Sequence, residues 1–221
     1  MKKLRTIIRW VIWTIAGLYI TTIVLLHIPA VQGFLAQKVG DVAGNKLGTE
    51  VHVGRIDLGF INRFVLDDIL IYDQSHKKML SASRVGARVD IWHLLRTGEI
   101  NISSAQLFGL RAELYKTSKD AKPNFQFVLD SLASKDTTSH TPLHLSINSL
   151  VIRHGNIKYD CLDAPTTPNR LNLNHINVSD ISSYLILNKL DDTSVWADLR
   201  ALAFKEASGL EVKQLAFELK A

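Results

Sequence analysis

"VGARVDIW", residues 85–92, sets Val85, Ala87, Val89 and Ile91 against Gly86, Arg88, Asp90 and Trp92. Strict alternation of this kind is the period of a β-strand with one covered face, because successive side chains leave a strand on opposite sides. The same period returns in LHLSI (143–147), through Leu143, Leu145 and Ile147. In WADLRA (196–201), Ala197, Leu199 and Ala201 oppose Trp196, Asp198 and Arg200; in QLAFELK (214–220), Leu215, Phe217 and Leu219 share a face. Turn-forming clusters punctuate these runs at DQSHKK (73–78), RTGE (96–99), RHGN (153–156) and DAPTTPN (163–169). Residues 49–221 are therefore predicted to be a β-rich region of antiparallel strands, each packed on one side. Short helices are expected at DIWHLLRT (90–97) and NFQFVLDSLAS (124–134), and a polar loop at SKDTTSHT (134–141). A faint echo links GEINISSAQLFGLRAELYK (98–116) with LSINSLVIRHGNIKYD (145–160): a strand, a turn, then a strand ending at Tyr115 or Tyr159.

Upstream the period changes. Trp10 to Ile28 is a run of nineteen residues without a charge, preceded by Lys2, Lys3, Arg5 and Arg9 with no acid among them. A helix of that length spans about 30 Å, the thickness of a bilayer core. A cleavable signal has a shorter apolar region and small residues at its end, whereas His27, Ile28 and Pro29 stand here. Residues 1–28 therefore read as a basic tip and an uncleaved signal anchor, with Trp10, Trp13, Tyr19, Leu25 and Ile28 as its membrane residues. The positive tip orients the N-terminus to the cytoplasm and sends the remainder across. Residues 29–48 follow as an amphipathic helix, with Val31, Leu35, Val39 and Val42 on its apolar stripe, Pro29 in its first turn, and Gly44 and Gly48 bracketing its end.

Outside the tip, basic and acidic residues nearly balance, so the pI of about 9.3 reports topology and offers no basic face for nucleic acid. The single cysteine, Cys161, has no internal partner for a disulfide. GDVAGNKLGT (40–49) lacks the spacing of a phosphate-binding loop. His140, His144, His154 and His175 stand without a second metal ligand at short helical spacing, and the doublets Asp67–Asp68 and Asp191–Asp192 point to opposite faces of a strand. No enzyme and no cofactor is expected. QLAFELK ends the sequence on an open alternation, which is the mark of a sheet continued in a longer parent.

The order of these features is more specific than any one of them. A basic anchor leads into a helix ending NKLGTEVHVGRIDLGF, then NRFVLDDILIYDQSHKKMLSASRVGARVDIWHLLRTGEINISSAQLFGLRAELYK, then PNFQFVLDSL, NSLVIRHGNIKYD and EASGLEVKQLAFELKA. This succession resembles the N-terminal part of the AsmA-like superfamily, most closely the TamB family of inner-membrane translocation and assembly components in Gram-negative bacteria. The resemblance implies an elongated, curved antiparallel sheet, a β-taco, whose concave side is an apolar groove. It also implies a single-pass inner-membrane protein, periplasmic in bulk, that carries phospholipid or assists outer-membrane protein assembly. An outer-membrane partner of the Omp85 type follows from the same resemblance. The groove candidates are the alternating residues Val85, Ala87, Val89, Ile91, Leu143, Leu145, Ile147, Leu215, Phe217 and Leu219. Alternation alone favours the same residues filling a closed sandwich or roll, in an anchored domain that binds only protein; the resemblance favours the open groove.

Overall fold

The computed structural model describes residues 2–59, 62–90, 92, 93, 96, 101–133, 146–190 and 195–220. Helix α1 covers Lys2–Leu26, and its stretch Thr6–Leu26 is long and apolar enough to cross a membrane, with none of it buried in the protein. Thr14, Thr21 and Thr22 lose little polarity to the surroundings, since each hydroxyl donates to a carbonyl four residues back at 2.9 Å. The helix ends before Ile28, which is extended and serves as N-cap of α2 (Pro29–Leu47). Ile28, the last residue of the expected anchor, thus stands at the joint between the helices: Pro29 removes the N–H that would continue α1 and starts a new helix instead.

The β region is one sheet. Its strands are β1 (Val51–Leu58), β2 (Arg63–Tyr72), β3 (Lys78–Val89), β4 (Asn101–Phe108), β5 (Arg111–Lys116), β6 (Ser146–Ile147), β7 (Ser149–Cys161), β8 (His175–Leu190), β9 (Val195–Glu206) and β10 (Glu211–Lys220). Their order is β1-β2-β3-β4-β7-β8-β9-β10, with β5 continuing the row of β4 between β3 and β7. Neighbours are antiparallel except at one seam, where β4 and β5 run parallel to β6 and β7. A parallel seam needs a crossover between β5 and β6; its described part, residues 117–133, includes helix α3 (Gln126–Ala133), the expected second helix. The two echoing segments are the strands that meet at this seam, held at a constant offset from Ile102↔Ile147 to Tyr115↔Asp160.

RHGN is not a hairpin turn. His154 takes φ 54° inside an unbroken β7, and Asp68, Gly109 and Asp180 take the same left-handed conformation in β2, between β4 and β5, and in β8. Register aligns them across the sheet. Gly109 donates its N–H to the Arg153 carbonyl, and Gly155 pairs with Ile181. Each irregularity adds one outward residue, so the buried set shifts phase: Ala105 before Gly109 but Leu110 and Ala112 after it, and Gly155 and Cys161 beyond His154. Asp67 and Asp68 are consequently both outward, a correction to strict alternation. Bulges bend a strand while preserving which face its apolar side chains occupy. They form a crease across the sheet.

Helix α2 closes the β1 side. Ala36, Val53 and Ile56 form its buried contact, with Leu35, Val39, Leu58 and Leu66 packed around them. The buried line of the helix is Gln32, Ala36 and Gly40, while Phe34 and Val42 of the apolar side are 58% and 66% exposed. The amphipathic stripe predicted for α2 is thus rotated. A Cβ on Gly40 would sit 2.8 Å from the Val51 carbonyl oxygen, and one on Gly44 2.7 Å from that of Thr49. Small residues let the helix backbone lie directly on the edge strand, and closeness of approach overrides maximal burial of the large side chains. Gly48, at φ 67°, ends the helix and donates to the Gly44 carbonyl.

Candidate functional site

The inner face of the sheet is defined by α2, which covers it at one end. Following register from Ile56 and Leu58, the row passes through Leu66 and Phe64, Val85 and Ala87, Leu107 and Ala105, then Ile152 and Leu150. It continues through Leu185 and Leu187 to Leu199 and Ala197, and ends on Leu215, Phe217 and Leu219. Val89 belongs to the same set and is buried; Val85 and Ala87 are half-buried. Ile147 lies in β6. Ile91, Leu143 and Leu145 lie outside the described residues. The structure therefore joins segments more than a hundred residues apart, Val85–Val89 and Leu215–Leu219, on one face.

Cover on that face is uneven. Near β1 it is closed, with Ala36 and Ile56 at 0% and 7% exposure. At β10, Leu215, Phe217 and Leu219 are 42%, 53% and 48% exposed, and among the described residues no second sheet lies over them. Each such side chain, already about half buried, would gain roughly 1 kcal/mol by leaving water completely. A contiguous, uncovered apolar stripe is the surface that apolar ligands and partners use.

All the groove candidates within the described residues fall below the crease, in the half nearest α1. There, Tyr19, Thr22, Ile23 and Leu26 of α1 face Leu58 and Phe64 across a cleft of about 550 Å³, with His27 and Arg63 also lining it. Leu58 and Phe64 are inner-face residues, so the cleft connects the apolar face with the flank of the membrane-length helix. Sequence reading missed both. The run FVLDDILIY (64–72) is apolar on successive residues around its aspartates, and the phase shift at Asp68 erases the alternation that would have exposed them.

The far half is polar at its rim and held by side-chain clamps. Asp73 is 2% exposed. Its Oδ1 accepts the N–H groups of Ser75 and Lys77 at 2.8 and 2.9 Å, and its Oδ2 accepts the Tyr115 hydroxyl at 2.9 Å. Burial pushes this carboxyl up, but the hydrogen bonds outweigh it and hold it below the usual range. Asn124 completes the clamp by accepting the Tyr115 N–H and donating to the Glu113 carbonyl, which fixes the start of the crossover. Cys161 is fully buried and donates to Asp163 at 3.0 Å; that bond to a carboxylate, with burial, raises the thiol pKa, opposite to the shift of a reactive cysteine. His175 sits between Asp160 and the Ala164 carbonyl, while His154 meets Phe108 edge-on at 5.1 Å. His140, His144, Asp191 and Asp192 lie outside the described residues. Among the described residues, no group of three or more His, Cys, Asp or Glu side chains is arranged to hold a metal ion.

No protein-family model matches this chain, and no curated protein matches it.

Proposed function

We propose that this chain is a membrane-anchored envelope component whose apolar sheet face carries lipid acyl chains, in the manner of the AsmA-like and TamB families it resembles. One observation carries the reading: the apolar face, uncovered at β10 and closed by α2 near β1, includes Leu58 and Phe64, which line a cleft against the flank of a helix of membrane-spanning length. A conduit of this kind needs no catalytic group. Acyl chains leave water at about 0.8 kcal/mol per CH₂, and similar affinity at successive positions lets them pass along. In this reading α1 lies in a bacterial inner membrane with its basic tip in the cytoplasm, and the sheet stands in the periplasm. An Omp85-type protein in the outer membrane is the corresponding partner, with outer-membrane protein assembly as the process served.

The test is photo-crosslinking in native membranes. A benzoylphenylalanine in place of Phe217, in the full chain, is expected to give phospholipid adducts by mass spectrometry, and one in place of the outward, exposed Arg88 to give none. Equal yields at both positions, or no lipid adduct at Phe217, would reject the conduit. A second reading rests on β10, whose outer edge is unpaired among the described residues. Such an edge accepts an extended segment of another protein by strand addition, and crosslinks from Phe217 exclusively to protein would favour it.

A further inference from the structure

Three irregularities of the sheet converge on its outer face. The crease at His154 turns both Arg153 and His154 outward, where regular alternation would place one of them inside. A register shift in β10 between Val212 and Leu215 does the same for Lys213 and Gln214. A shift between Tyr184 and Leu185, opposite Ala201 and Leu199, inserts Arg200 into β9 and turns Ala201 outward. The result is a concavity of about 310 Å³ lined in part by the small side chains of Ala201 and Ala203. Its wall carries Arg153, His154, Lys213, Ser182 and Tyr184, and none of its lining residues is acidic.

Independently of the lipid-conduit reading, we infer that this concavity is an oxyanion site for the phosphate group of a small ester or a lipid headgroup. The reasoning is electrostatic and geometric. Arg153 and Lys213 make no ion pair among the described residues, whereas Arg55, Arg84, Arg200 and Lys205 of the same surface each pair with an aspartate. Two cations, an imidazole and two hydroxyls line one concavity beside small side chains, so a compact acceptor seated there has several donors around it. Inorganic phosphate or a monoester offers three or four acceptor oxygens, and a diester two, all placed tetrahedrally, which suits donors arriving from three strands better than a planar carboxylate does. Bulges that aim side chains at one point are a common device of binding sites in sheets.

The experiment uses the full chain in zwitterionic nanodiscs at low salt, where screening is least. Inorganic phosphate and glycerophosphoglycerol, a headgroup without its chains, are titrated separately while the NMR methyl signals of Ala201 and Ala203 are followed. Saturable shifts of both methyls are expected. Arg153→Gln with Lys213→Gln should weaken binding about tenfold or more, a loss of about 1.4 kcal/mol per factor of ten, and Arg153→Lys should restore most of it. Tighter binding of the diester identifies a lipid headgroup as the source, and tighter inorganic phosphate a free phosphate group. Absence of saturation, or an unchanged affinity in the double variant, overturns the site. So does displacement of phosphate by a penta-aspartate peptide at lower concentration, which would make the face a protein contact. Should the double variant lose the wild-type circular dichroism, Lys213→Gln alone carries the test, with about a threefold loss expected.

Discussion

Two carboxylate clusters, one buried and one half-buried, stabilise the sheet in opposite pH ranges. Asp67 is 7% exposed and lies between Arg55 and Arg84, with contacts of 2.7 and 2.6 Å. The Arg84 hydrogen bond, chiefly, holds its carboxyl below the ordinary range against an opposing push from burial, with Arg55 helping. A lowered carboxylate pKa contributes stability above its unfolded value and loses it as pH falls through the folded one. The melting temperature should therefore drop below about pH 4, and Asp67→Asn should show a shallower acid drop from a lower neutral starting point. Because both arginines are more than half exposed, the neutral-pH cost should be only about 1 kcal/mol. Thermal melts of both proteins at several pH values decide it. His175 works the other way. Its two ring nitrogens face Asp160 and the Ala164 carbonyl, both acceptors, so only the imidazolium satisfies them together. Its pKa is raised, first by Asp160 and then by Ala164, so its contribution is full below about pH 6.5 and disappears as pH rises through the raised value. His175→Gln should flatten that alkaline decline in the same melts; a decline as steep as the wild type's would reject this role.

Glycines test the packing of the elements. Gly33 and Gly40 sit in the same helix, yet a Cβ on Gly33 meets nothing within 4 Å while one on Gly40 runs into the Val51 backbone. Gly33→Ala should raise stability by about 0.5–1 kcal/mol through helix propensity. Gly40→Ala should cost about 1–3 kcal/mol by forcing α2 off β1, as read from urea unfolding midpoints. Gly109 combines φ 65° with Ser83 Oγ at 2.6 Å from the position of a Cβ, so Gly109→Ala should cost about 1–3 kcal/mol. These elements also mark where the sequence was legible. α1 was readable as an uninterrupted apolar run, and the periods of α2, β3 and β10 because each is written in the spacing of apolar residues along the chain. The strand β7 was read as two strands and a turn, since His-Gly-Asn signals a turn and a bulge alike. Only pairing with β4 and β5, kink beside kink, holds the strand continuous. For α2 the apolar stripe gave the helix but not its contact, which small residues decided.

For the molecule as a whole, exposure separates residues that build the face from residues that offer it. Val89→Asp places a charge at a site with 9% exposure and should unfold the β region, at a cost of several kcal/mol, whether the face is open or closed. Phe217→Asp, at 53% exposure, should leave circular dichroism and melting nearly unchanged while abolishing lipid crosslinking from a neighbouring probe at Leu219. Unfolding by Phe217→Asp would mean that this end of the face is covered in solution. By itself, the sequence determined a helix of membrane length, a helix after Pro29, and strands with one apolar side, because each is a periodicity of neighbours along the chain. Tertiary structure alone decided that these sides form one face, that the face is closed at β1 and bare at β10, and that it meets α1. Those are properties of pairing and register between residues far apart in the chain, on which a local period carries no information.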